Sequence, residues 1–219
     1  MCKEPKIDAH DHDEYCIRKP YRINPVFVYR GEMYTSGASI NRGSAKAYGW
    51  VADWMSGRKF DAALDIGCGD GSKIKKYIAP NVVVAIGVDT PRVIKAVNRA
   101  CKDPNLFGVD VENYTKLDLF GGAFDLVTCI EVIEHLGNPD RLFDLIRDWS
   151  SDKTRIVLST PERDHRRMSG PPENKKHVRE WTMDEFSDYL SLNGLKILDS
   201  TRLDNLGGGK TLIVVCKLA

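Results

Sequence analysis

The sequence is short of net charge, of long apolar runs and of paired cysteines. Lysine plus arginine number 32 against 31 aspartate plus glutamate in 219 residues. No field of one sign therefore extends over the whole surface to gather nucleic acid or anionic lipid, and any anion site has to be local. No stretch approaches the roughly 20 apolar residues that cross a bilayer, and Met1 to Tyr15 is too polar for a secretion signal. These absences predict a soluble, cytoplasmic protein with no membrane partner. Cys2, Cys16, Cys68, Cys101, Cys129 and Cys216 are scattered without a Cys-x-x-Cys pair, which argues against a zinc ribbon or redox centre and for reduced, buried thiols.

What is present is organised along the chain. The first twenty residues carry the cluster Asp8-Ala9-His10-Asp11-His12-Asp13-Glu14 with no hydrophobic pattern around it, which reads as a solvated tail. Aromatic and basic residues alternate from Tyr21 to Tyr34, and a helix is expected from Ser44 to Met55. From there strands alternate with helices. Strands are expected at Ala62 to Ile66, Val82 to Val88, Leu106 to Val109, Phe124 to Ile130, Arg155 to Ser159, Lys196 to Arg202 and Lys210 to Leu218. Helices are expected at Ser72 to Ile78, at Pro91 to Cys101, after the Asn138 cap with Pro139 in first helical position, and after the capping box Thr182-Met183-Asp184-Glu185. Pro161 to Glu180 reads as a long loop. The alternation predicts an α/β fold: a doubly wound, mostly parallel seven-stranded sheet covered on both faces, closed by a C-terminal hairpin that supplies an antiparallel strand. Residues 1–58 form a tail and helical lid in this reading, and residues 59–219 a single catalytic unit.

The chemistry begins at Asp65-Ile66-Gly67-Cys68-Gly69-Asp70-Gly71, where a strand ends in glycines and runs into a helix. Glycines there let a ligand approach the backbone, and the helix start offers free N–H groups. A dinucleotide fingerprint would place a third glycine at position 72, where this chain has serine. With Asp65 and Asp70 adding negative charge, the turn suits a small cationic nucleoside, such as one bearing a sulfonium and an amino group, better than a diphosphate. Asp89 ends the second strand, where ribose hydroxyls are normally held. Asp110 follows the third and can accept from an adenine amino group, with Val109 or Val111 covering the ring.

Ala63 through Gly71, then Asp89, then Phe124-Asp125-Leu126-Val127 and Glu131-Val132-Ile133-Glu134-His135 together resemble the successive motifs of class I S-adenosylmethionine-dependent methyltransferases, over about Phe60 to Pro161. The resemblance implies the Rossmann-like methyltransferase fold, S-adenosylmethionine as cofactor, and cofactor contacts from Asp65, Gly67, Cys68, Gly69, Asp89, Thr90, Asp110, Val111, Ile130 and Glu131.

Glu131, Glu134 and His135 resemble the triplet of metal-dependent members such as small-RNA 2′-O-methyltransferases and ubiquinone-biosynthesis O-methyltransferases, with His177 resembling a fourth ligand from the long loop. Two readings stand side by side. Glu131, Glu134, His135 and His177 hold Mg2+ or Mn2+, for which oxygen with one or two imidazoles is a suitable donor set; or, without metal, His135 or His177 is the general base, with Glu131 beside the cofactor. The basic run from Arg163 to Arg179 adds a local anion grip from Arg166, Arg167, Lys176 and Arg179, closing with Tyr29, Arg30 and Tyr34 over an anionic small molecule. The leading expectation is O-methylation of a small polar or anionic metabolite. Its competitors are a metal-dependent RNA 2′-O-methyltransferase, against which the even charge counts, a non-catalytic cofactor-binding regulator, and a nicotinamide oxidoreductase.

Overall fold

A computed structural model describes residues 15–17, 22, 24–25, 42–100, 102–114, 122–163, 170–205 and 208–219. Seven strands form one sheet: β1 Ala62–Ile66, β2 Val84–Asp89, β3 Leu106–Gly108, β4 Phe124–Ile130, β5 Ser150–Pro161, β6 Leu195–Asp204 and β7 Lys210–Leu218. Their order is β3-β2-β1-β4-β5-β7-β6. The pairs from β3 to β5 are parallel, and β7 runs antiparallel to both β5 and β6. One strand is thus reversed, and the closing hairpin inserts its second strand between β5 and β6, an order that strand patterns alone do not specify.

Side-chain alternation sorts the sheet's residues onto two faces. Leu64, Ile66, Val88, Val127, Cys129, Ile156, Leu158, Leu212 and Val214 pack in one cluster with Leu142, Phe143 and Ile146 of α3 (Asp140–Asp148) and Phe186, Tyr189 and Leu190 of α4 (Met183–Leu192). Ala63, Leu126, Val157, Ile213 and Val215 point the other way, against Ala47, Tyr48, Val51 and Met55 of α1 (Arg42–Met55). The remaining helix, α2 (Pro91–Ala100), buries Val93 and Ile94. No helix among the described residues is long and apolar enough to cross a membrane.

Several boundaries differ from expectation for local reasons. After the glycine turn the helix widens at Ile74–Ile78 into a π-helical turn and tightens into a 3-10 turn at Ala79–Asn81, where Pro80 ends it. Helix α3 begins at Asp140, one residue beyond the expected start, with the Asn138 side chain accepting from the Asp140 N–H at 3.1 Å. The fifth strand runs from Ser150 rather than Arg155, because the Thr154 hydroxyl donates to the Phe124 carbonyl at 2.6 Å and carries the pairing through a register shift. The capping box of α4 forms as read, with Thr182 and Glu185 bonding each other's backbone N–H.

Candidate active site

The glycine turn leaves the centre of the sheet at the C-terminal end of β1. The N–H groups of Gly67 and Cys68 donate to the Val88 carbonyl at 2.8 and 3.0 Å, so the turn folds back over β2. The Gly69 N–H donates to Asp89 Oδ2 at 2.8 Å, and Thr90 N–H to Asp89 Oδ1 at 2.7 Å. Asp89 is therefore positioned by backbone on both oxygens, and burial raises its pKa. At Gly67 no other residue fits: φ is +79°, and an added Cβ would lie 2.2 Å from Val132 Cγ2. The cofactor turn and the loop after β4 are in contact at that point. Asp110 closes a turn, accepting from Glu112 N–H at 3.1 Å and Asn113 Nδ2 at 2.9 Å, beside buried Val109 and Val111.

Asp65 does not face the mouth of the turn as expected. Its side chain points to the opposite face, fully buried under α1, where Oδ2 accepts from the Tyr48 hydroxyl at 2.8 Å and Oδ1 from the Thr128 hydroxyl at 2.6 Å. Burial pushes its carboxyl up to about 7, against the lowering effect of the two hydroxyl donors. Strand alternation accounts for the correction, since Asp65 shares the face of Ala63 rather than that of Leu64 and Ile66.

Chain direction changes sharply after β4. Glu131 holds φ at +59°, an uncommon value for a side chain of this size, anchored by its N–H donating to the Ser159 carbonyl at 3.2 Å. Its Oε1 accepts from Ser159 Oγ at 3.0 Å. A 3-10 turn, Ile133–His135, then buries Glu134 completely. Oε2 of Glu134 accepts from Thr160 Oγ1 at 3.3 Å, while Oε1 is buried with no hydrogen-bond partner among the described residues. That oxygen lies 3.7 Å from His135 Nε2. Burial raises the pKa of both glutamates, with Glu134 adding repulsion at Glu131 and Glu180 adding it at Glu134.

The loop before α4 brings His177 to the same place. The His135 and His177 rings sit edge to face, centroids 5.0 Å apart. One ligand atom each from Glu134, His135 and His177 lies within 4.8 Å of the others. Nδ1 of His135 pairs with the Lys176 carbonyl at 2.9 Å, and Nδ1 of His177 with Glu180 Oε1 at 2.6 Å. Burial pulls His135 down to about 4; burial also acts to lower His177, but the Glu180, Glu134 and Glu131 carboxylates together raise it. The loop is fastened by Asn24, whose Nδ2 donates to the carbonyls of Pro172, Asn174 and His177 and whose N–H donates to the Val178 carbonyl.

Of the four expected metal ligands, three converge, while Glu131 is held aside by Ser159. The anion grip changes more. Arg179 is buried and donates to the carbonyls of Leu136 and Gly137 at 2.8 and 3.0 Å, with its guanidinium 4.2 Å from the Tyr15 ring centroid. It braces the loop and does not face a substrate. Lys176 pairs with His135 through its carbonyl, and its ammonium also helps lower the His135 pKa. Tyr29, Arg30, Tyr34, Arg166, Arg167 and the cluster from Asp8 to Glu14 lie outside the described residues. Sequence reasoning missed Tyr48, Thr128, Asn24, Asn174 and Glu180. Only Glu180 carried a signal, its spacing of three from His177.

A family model for a methyltransferase domain matches residues 51–200. The chain belongs to the class I S-adenosylmethionine-dependent methyltransferase family. This methyltransferase is 33% identical over 109 residues to the mitochondrial ubiquinone biosynthesis O-methyltransferase of Saccharomyces cerevisiae, covering 47% of this chain and 34% of that one. It is 28% identical over 159 residues to the small RNA 2′-O-methyltransferase of Mus musculus, covering 65% and 40%. The methyltransferase thus spans well under half the length of these two relatives. In fold it is similar to the 1,6-didemethyltoxoflavin-N1-methyltransferase of Burkholderia thailandensis, solved with S-adenosylhomocysteine, at TM-score 0.64 and 17% identity over 86% of this chain and 84% of that one. The N-methyltransferase NodS of Bradyrhizobium japonicum, also solved with S-adenosylhomocysteine, gives 0.63 and 17% over 86% and 96%.

Proposed function

We propose that this methyltransferase methylates a hydroxyl oxygen, with Mg2+ or Mn2+ held by Glu134, His135 and His177. The observation that carries the reading is Oε1 of Glu134, buried without a hydrogen-bond partner among the described residues, beside the Nε2 edge of His135. A buried acceptor left unsatisfied is costly, and a cation would complete it. Both imidazoles engage Nδ1 elsewhere, which turns Nε2 toward a cation, although that of His177 also meets the Asn174 amide at 2.8 Å. One carboxylate and two imidazoles fit a divalent cation that completes its shell with water or substrate oxygen. Bound there, the cation would lower the pKa of an acceptor hydroxyl and orient it.

The chain's own residues divide the remaining work. Asp89 accepts from ribose hydroxyls, Asp110 from the adenine amino group, and Gly67 to Gly69 present backbone to the cofactor's methionine portion, with Cys68, Thr90, Val111 and Ile130 lining its path. S-adenosylmethionine supplies the electrophilic methyl group. Glu131, adjacent in sequence to the cation ligands and with its pKa raised by burial, would take the hydroxyl proton as the methyl group passes from sulfur to the acceptor oxygen.

The acceptor in this reading is a small molecule that is polar or anionic, gripped through Arg166, Arg167 and Lys176. Replacing Arg166 and Arg167 with alanine is expected to raise KM sharply at similar kcat, and an unchanged KM removes the anionic acceptor. A second reading, methylation of an RNA 2′-hydroxyl, is favoured by the similarity to the mouse small RNA enzyme over 65% of this chain. The deciding experiment titrates S-adenosylhomocysteine into chelator-treated protein, then measures methyl transfer to a catechol and to small RNA, with and without Mn2+. Transfer that needs Mn2+ supports the metal-assisted reading, and full activity in excess chelator refutes it.

A further inference from the structure

Resting on the cation reading above, we propose that Glu180 is a positioning residue that fixes the tautomer of His177, and that Asn174 competes with the cation for the same ring's Nε2. His177 is bonded on both nitrogens: Nδ1 lies 2.6 Å from Glu180 Oε1 and Nε2 lies 2.8 Å from Asn174 Nδ2. The orientation of the Asn174 amide follows from its other contact, since its Oδ1 accepts from the Lys176 N–H at 3.1 Å and so leaves the NH2 group toward the ring. An amide donor at Nε2 requires a lone pair there, and a carboxylate at Nδ1 requires a proton there. The two partners therefore select the same tautomer, with Nδ1–H toward Glu180 and an Nε2 lone pair available on the edge that a ligand must use.

Glu180 is well placed to impose this. On one side Arg179 is buried and bonded to the carbonyls of Leu136 and Gly137, and on the other Trp181 is fully buried with its indole N–H donating to the Tyr15 carbonyl at 2.9 Å. A carboxylate between two anchored neighbours has little freedom to follow the imidazole, so the ring follows the carboxylate. Glu180 is not itself a ligand in this arrangement, because it engages the nitrogen away from Nε2. His135 is fixed in the same sense by a backbone carbonyl, that of Lys176, and the two rings thereby present equivalent nitrogens. Asn174 works against the cation. Its own backbone is held, with its carbonyl accepting from His177 N–H at 3.0 Å and from Asn24 Nδ2 at 3.3 Å, so the amide remains poised over Nε2.

The test titrates Mn2+ into the full chain after chelation, reading free Mn2+ by electron paramagnetic resonance, with thermal melting as the check on folding. Removing such an outer partner typically costs about 10–100-fold in metal affinity. Glu180→Ala is expected to lose affinity in that range, Glu180→Gln to recover much of it through its amide oxygen, and Asn174→Ala to bind more tightly than wild type. If wild type binds while Glu180→Ala and Asn174→Ala bind equally well, the inference is overturned and the cation reading survives. If wild type does not bind, the cation reading fails. Long-range 15N correlation of the imidazoles in metal-free protein then judges the tautomer by itself. An Nδ1–H His177 in wild type that is lost in Glu180→Ala supports the positioning role, and an Nε2–H ring in wild type overturns it.

Discussion

Replacing Tyr48 with phenylalanine removes one hydroxyl from the methyltransferase and leaves the shape of α1 intact. The hydroxyl donates to Asp65 at 2.8 Å in a site that is fully buried on both sides. In the unfolded chain Asp65 loses its proton near 3.8, whereas burial in the fold holds it until about 7. Between those values the folded state binds the extra proton, so this group's contribution to stability is complete below about pH 3.8 and is lost as pH rises through about 7. At about 1.4 kcal/mol per pH unit the full loss is on the order of 4 kcal/mol. Tyr48 and Thr128 limit that loss by donating to the charged form. Removing Tyr48's share should therefore cost about 1.5–3 kcal/mol at pH 8, where the acceptor is a carboxylate, and about 0.5–1.5 kcal/mol at pH 5, where it is a neutral acid. Urea unfolding followed by tryptophan fluorescence at both pH values measures the difference. Equal destabilisation at pH 5 and pH 8 would show that Asp65 does not change charge in the fold across that range, and the reasoning would be refuted.

Gly67→Ala should destabilise the fold and abolish measurable S-adenosylhomocysteine binding, because the added methyl meets Val132 Cγ2 at 2.2 Å and φ is +79°. The double variant with Val132→Ala should recover stability only in part, by calorimetry, since the backbone strain of about 1–2 kcal/mol persists. Asp89→Ala should weaken S-adenosylhomocysteine about tenfold or more by isothermal titration, the loss expected for a hydrogen bond to a charged group of about 1.5–3 kcal/mol; near-normal affinity would remove the ribose assignment. Glu185→Ala should cost about 3–5 kcal/mol in chemical denaturation, because it removes the carboxylate paired with the buried guanidinium of Arg163 and opens the capping box at once. A loss under 1 kcal/mol would show that the ion pair is replaceable by water.

What could be read from the sequence was whatever repeats with the period of a strand or helix or is enforced locally by a special residue. The strand cores at Leu64, Val127 and Leu158, the glycine turn and the Thr182 box are of that kind. Asp65 was placed at the wrong face because the glycine motif drew it toward the ligand, whereas the strand's alternation, read residue by residue, already put it with Ala63. Arg179 was misread for a related reason. A basic loop reads as an anion site until tertiary structure supplies backbone carbonyls for one of its arginines, here those of Leu136 and Gly137. Asn24 was invisible because its partners, Pro172, Asn174 and His177, lie some 150 residues away and are all backbone carbonyls, which no side-chain pattern encodes.

The same long-range bonds link the glycine turn to the residues proposed above to hold a cation. Val132 fills the space left by Gly67, so the chain that follows β4 is fixed against the cofactor turn. Glu131 and Glu134 bracket Val132, the first tied to Ser159 and the second to Thr160 at the end of β5. Val178 N–H then donates to the Glu134 carbonyl at 2.7 Å, drawing in the loop that carries His177. A shift of the glycine turn is thus transmitted through Val132 to both carboxylates. On this geometry Gly67→Ala should weaken Mn2+ binding as well as cofactor binding, although Gly67 offers no side chain to a cation. Retention of full Mn2+ affinity in a folded Gly67→Ala variant would show that the two halves of the site move independently.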